Sequence, residues 1–165
     1  MNSYRKFIWM IIPVLVLVLL NQMVIFGKIP LASDTISIEP IKNWISNYQQ
    51  EHDDHTQWYP HLFGGMPAYG SYVYTPGDPT SILSNNILFN RGLKYLFHIS
   101  IGGLGLFLLL HRRKISILPA LFGGLLYALS PYSFGLINAG HSTKLIALGY
   151  LPWVFMAADY AMDRL

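Results

Sequence analysis

Asp34 stands in "ASDTISIEP", eight residues beyond a twenty-residue apolar run that ends at Phe26. A carboxylate close to a membrane surface can take a proton from an attacking hydroxyl, or hold a cation against a phosphate. The competing reading is a solvated loop acid that caps a turn with Thr35. A second candidate is His52-Asp53-Asp54-His55, four ligand types in a row. Imidazole and carboxylate both suit zinc or manganese, which leaves a divalent metal open as a cofactor. Adjacent side chains diverge, however, so a polar cap after a helix is the expected role.

The stretch "TQWYPHLFGGMPAYGSYVYTPGDP" is the richest. Trp58, Tyr59, Phe63, Tyr69, Tyr72 and Tyr74 offer aromatic faces for anchoring at a membrane interface or for stacking on a sugar ring. Gly64-Gly65 lets the backbone approach something closely. No Gly-Lys-Ser/Thr follows, so it is not a phosphate cradle of the Walker kind. In "INAGHSTK", Asn138, His141, Ser142 and Lys144 place donors and one cation together, suited to a phosphate at the headgroup level. An ordinary interhelical turn with a snorkelling lysine is the plain alternative. His98 is an ionisable group in an apolar stretch, yet near its end, where water is expected to reach it.

Four apolar stretches must position these groups. Phe7 to Phe26 carries no charge, and twenty residues at about 1.5 Å each match a hydrocarbon core of about 30 Å. It exceeds the 7–15 residues usual for a signal-peptide core. Gly92–Leu110, Ile115–Ile137 and Leu145–Ala161 follow, the third with Pro119 and Pro131, which kink or break a helix. Only 12% of the 165 residues are charged, about half the share usual in soluble domains. The expected fold is therefore all-α and integral to the membrane, with about four transmembrane helices. Its parts are a first span within 1–26, a large structured loop at 27–90, and three spans within 91–165.

Basic residues set the orientation. Arg5 and Lys6, the His111-Arg112-Arg113-Lys114 run, and Arg164 fall on one side of a chain that crosses four times, which makes that side cytoplasmic. The 27–90 loop then faces outward, with six acids against two lysines. Within it Pro40 is expected to open a helix at its first position. Ile41, Trp44, Ile45 and Tyr48 recur at helical spacing and form an apolar stripe, directed at the membrane interface or at the loop's own residues. Thr75 to Pro79 reads as a turn, and Ile82 to Phe89 as a second short interfacial helix. The chain has no cysteine, which excludes disulfides and thiol chemistry, and no basic-aromatic run of the kind that tracks nucleic acid.

"SDTISIEP", "QWYPHLFGGMPAYG", "LYALSPYSFGLINAGHSTK" and "ALGYLPWVF", in this order and spacing, resemble the start of the YfhO-like family of bacterial membrane proteins. That family looks like a branch of the GT-C superfamily, multi-span glycosyltransferases that draw a sugar from a polyprenyl-phosphate donor on the outer face of the membrane. The resemblance implies a catalytic carboxylate in the first outer loop, a place matched by Asp34. It also implies that Glu39, Trp58, His61, Phe63, Gly64, Gly65 and Tyr69 belong to the substrate-binding surface, with Phe63-Gly64-Gly65-Met66-Pro67 shaping the loop over the site. His141 and Lys144 would contact the donor phosphate. Relatives often carry two adjacent acids where this chain has Asp34-Thr35, with Glu39 the next acid. Such enzymes have eight or more spans, so the chain is expected to be the amino-terminal part of a longer protein, partnered by its remaining spans and membrane lipid. The rival from another class is a non-enzymatic membrane protein, a transporter subunit or an assembly factor.

Overall fold

A computed structural model describes residues 7–68, 88 and 90–163, apart from the side chains of residues 33–35. The chain divides into two units, Met1–Pro30 with Leu88–Leu165, and Leu31–Ile87.

In the first unit, one short turn of 3-10 helix (Ile8–Met10) leads into α1 (Ile11–Val24). Ile12, Val16 and Leu20, spaced by four, are buried, while Val14, Leu15, Leu17, Val18 and Leu19 are exposed. A helix apolar all round that buries a single stripe leaves its other apolar faces uncovered. The Ile8–Val24 stretch is nevertheless short for a span, whereas three other stretches are long and apolar enough to cross a membrane: Arg91–Arg112, Ile117–Ala139 and Ser142–Met162.

The first of these is α3 (Arg91–Arg112), opened by Asn90, whose side chain accepts the Gly92 N–H at 2.7 Å. It packs against α1, α4 (Ile117–Ala128) and α6 (Ser142–Met162). The stretch expected as one span at 115–137 is two helices, α4 and α5 (Pro131–Ala139). Pro131 cannot continue α4, so Ser130 starts a new helix with its hydroxyl accepting the Tyr132 N–H. Pro119 is harmless, because the third position of α4 has no intrahelical bond to lose.

Small residues let the backbones meet. A Cβ on Gly124 would lie 2.6 Å from the Gly103 carbonyl oxygen, and one on Gly103 would lie 2.9 Å from that of Gly124. Apolar side chains gain little by leaving lipid for another helix, so close backbone contact of this kind supplies the packing energy.

The second unit is built on α2 (Ser33–His52) and a two-stranded hairpin, β1 (Trp58–Tyr59) and β2 (Met66–Pro67), paired Trp58 to Pro67 and Tyr59 to Met66. Pro40 does not open the helix as expected: α2 starts at Ser33, after an extended Ala32, and runs through Pro40. The proline removes only the N–H that would return to the Ile36 carbonyl, at an exposed position. The Ile41, Trp44, Ile45 and Tyr48 stripe is real, and its destination is the hairpin. Ile41, Tyr59 and Ala68 are buried together, with Trp44, Ile45, Leu62 and Met66 packed around them. The expected turn at 75–79 and the helix at 82–89 lie outside the described residues, apart from Leu88.

Candidate functional site

The shaped segment between Thr56 and Ala68 owes its form to one tryptophan. Asp53, in the left-handed region at φ 52°, closes α2, and its N–H reaches the Gln49 carbonyl at 2.9 Å. The His-Asp-Asp-His run is thus a helix end. His52 stacks on Tyr48 at 4.2 Å, and Asp54 accepts the His55 N–H at 2.7 Å. Among the described residues no three acids or histidines converge as a metal-ligating group. Thr56 then fixes Trp58: its hydroxyl donates to the Trp58 carbonyl at 2.6 Å and accepts the Trp58 N–H at 3.3 Å.

The hairpin returns through Phe63, Gly64 and Gly65, three successive residues at positive φ of 54°, 74° and 116°. L side chains rarely adopt such angles, and φ 116° is essentially confined to glycine. Gly65 is needed twice over, since a Cβ there would lie 2.6 Å from the Trp58 indole. The indole therefore lies against bare backbone. Phe63 projects outward, 90% exposed.

Rings fill the space between helix and hairpin. His52, Tyr48 and Trp44, spaced by four on α2, form a ladder, with Trp44 and Tyr48 centroids 5.5 Å apart. Tyr59 and His61 meet Trp44 edge-on at 5.2 and 5.3 Å. Beside the ladder lies an open cleft of about 400 Å³, walled by Trp44, Tyr48, Asp54, His55, Gln57 and Trp58 among others.

Of the expected site residues, Trp58, His61, Phe63, Gly64 and Gly65 share this hairpin. Asp34 is the second residue of α2, in its first turn rather than in an open loop. Glu39 is exposed on the same helix. Five residues of helix turn the chain by about 140°, so positions 34 and 39 occupy different faces, and Glu39 does not replace a neighbouring acid. Tyr69 lies outside the described residues.

In the first unit the interhelical turn of "INAGHSTK" is only two residues long. Gly140 at φ 86° ends α5, and His141 takes the N-cap position of α6. Ser142 instead meets the Tyr95 hydroxyl at 3.0 Å. Lys144 is exposed on the first turn of α6.

His98 does not reach water as expected. It is 1% exposed because α6 covers this end of α3, with Tyr150 edge-on to its ring at 5.5 Å. Its Nδ1 donates to the Lys94 carbonyl at 2.7 Å, which leaves a lone pair on Nε2. That Nε2 and the Ser100 hydroxyl are buried without a hydrogen-bond partner among the described residues.

Three further arrangements carried no signal in the reading of the sequence. Pro152 in α6 has no N–H for the Leu148 carbonyl, and the Tyr127 hydroxyl donates to that oxygen at 2.8 Å. The Trp153 indole N–H likewise reaches the Ile101 carbonyl at 2.9 Å. Asp159, 5% exposed, is held by Arg112 at 3.3 Å and by Arg113, while Arg112 also pairs with Asp163 and lies 3.5 Å over the Tyr160 ring. The arginines expected only as orientation signals thus tie α3 to α6. Comparison with known proteins finds no matching family model, curated protein or solved structure.

Proposed function

We propose that this chain is the amino-terminal part of a membrane glycosyltransferase, moving a sugar from a polyprenyl-phosphate donor to an acceptor at the outer membrane-water interface. In this reading the protein sits in a bacterial inner membrane with its amino terminus cytoplasmic and residues 27–90 outside. Four crossings are completed by Ile8–Val24 together with short flanking residues. Asp34 is the general base, and Lys144 and His141 meet the donor phosphate at the start of α6. The observation that supports it best is that Asp34 is the second residue of a continuous helix that begins nine residues after α1 ends.

The test is Asp34→Asn in the full-length parent, assayed for sugar transfer from a radiolabelled lipid-linked donor. A positioned base contributes about 10²–10⁴ in rate, so transfer should fall by at least about a hundredfold with expression and membrane insertion unchanged. Transfer at the parental rate would sink the assignment.

A transporter subunit is the second reading, favoured by the buried, unpartnered Nε2 of His98 inside a helix bundle. It predicts that His98→Phe alters solute flux and leaves sugar transfer alone.

A further inference from the structure

The cavity beside the aromatic ladder has a composition that plain packing does not require. Its apolar wall is Trp44, Tyr48 and Trp58, and its polar rim is Asp54, His55 and Gln57. About 400 Å³ falls within the range of small-molecule pockets, about 300–1,000 Å³. We propose that this pocket binds a neutral saccharide, with the three rings as platforms for its C–H faces and with Asp54 and Gln57 taking its hydroxyls.

The rings are set in advance. Trp44 is braced edge-on by Tyr59 and His61, Tyr48 is stacked on His52, and Trp58 is fixed by Thr56 and backed by Gly65. A ligand would therefore immobilise little that is not already fixed, which keeps the entropic cost of binding low. Asp54 uses one oxygen for the His55 N–H, which leaves the other to accept from a hydroxyl. The exposed Gln57 amide both donates and accepts, as a polyol requires. Asp53 and Asp54 together disfavour a phosphate or a uronic acid at this rim. The same rings and carboxylate would also attract an organic cation, and that ligand is the rival to be separated. The inference rests on the transferase reading for the use of the bound sugar, but not for binding itself.

The test uses the full chain in nanodiscs and saturation-transfer NMR. The probes are methyl β-glucopyranoside, N-acetylglucosamine and maltose, with tetramethylammonium and inorganic phosphate as controls. At least one saccharide should show saturable binding. Trp58→Ala should weaken it about tenfold, the order of one aromatic stacking contact. Gln57→Ala, at an exposed position on the pocket rim, should weaken it several-fold with an unchanged near-ultraviolet circular dichroism spectrum.

Absence of binding by all three saccharides, or binding unaltered in both Trp58→Ala and Gln57→Ala, overturns the proposal. So does binding of tetramethylammonium alone, abolished by Asp54→Asn, which would assign the pocket to an organic cation. Saccharide binding in a full-length protein that transfers no sugar would remove the transferase reading and leave the pocket standing. Transfer without saccharide binding here would do the reverse.

Discussion

The two units of this chain solve the packing problem with opposite materials. In the helical bundle backbones approach each other closely, as at Gly103 and Gly124, and Leu118, Phe122 and Leu126 of α4 point outward. Among the described residues of the 31–87 unit, rings gather round a small core of Ile41, Tyr59 and Ala68, with Trp44 and His61 edge-on to Tyr59. The three stretches long and apolar enough to cross a membrane suggest a reason. In lipid, burying a phenylalanine gains a helix little, and stability comes from van der Waals fit and hydrogen bonds between helices. In water, each aromatic ring removed from solvent stabilises directly, and edge-on pairs add about 0.5–1.5 kcal/mol.

If that contrast holds, the largest effect should come from filling the bundle's backbone contact. Gly124→Leu drives a side chain into the Gly103 carbonyl and Ile12, and should cost about 3 kcal/mol or more in detergent unfolding. An unfolding midpoint equal to wild type would mean that these backbones do not touch. Next is Asp159→Ala, which takes from Arg113 its carboxylate partner and leaves Arg112 with Asp163 alone. Breaking a buried pair costs about 3–5 kcal/mol, but Arg113 is 61% exposed, so about 2 kcal/mol is expected. High salt should leave most of this loss in place if Asp159 is as enclosed as its 7% side-chain exposure indicates.

The hairpin offers a sharper comparison within one turn. Gly65→Ala meets both an unfavourable φ and the Trp58 indole, and should cost about 2 kcal/mol. Its neighbour Gly64 also has positive φ but open space beyond, so Gly64→Ala should cost about 1 kcal/mol. Tryptophan fluorescence should shift for the first and not for the second; equal shifts would mean that the indole does not rest on Gly65. The smallest effect is Tyr127→Phe in the bundle, about 1 kcal/mol, and it should nearly vanish when Pro152 is also changed to Ala.

Much of this architecture could be read from the chain itself, and the failures share a cause. Apolar runs and the Ile41, Trp44, Ile45, Tyr48 stripe are local patterns, and they appear where their spacing puts them. Pro131 breaks its helix because it lacks an N–H, a local fact too. His98 was misjudged because its exposure depends on α6, some fifty residues later in the chain, whose Tyr150 covers the ring. The hairpin was missed as such, since strands of two residues are too short to show an alternating pattern. Asp159 gave no hint of its arginines, which lie 46 and 47 residues before it in sequence. The Asp34 neighbourhood was legible as an acid near a membrane, but its helical setting was not, because Pro40 suggested a later start.

The bond from Tyr127 to the Leu148 carbonyl carries a historical implication. With alanine at position 152 the helix would satisfy that oxygen itself, and the tyrosine would be dispensable. Once proline is present, loss of the tyrosine strands an acceptor inside the bundle. The order of arrival is therefore constrained: a tyrosine can be acquired first without penalty, whereas a proline acquired first must wait for its donor. Among descendants of a common ancestor, the two positions should change together, and chains with proline but no hydroxyl opposite should be rare.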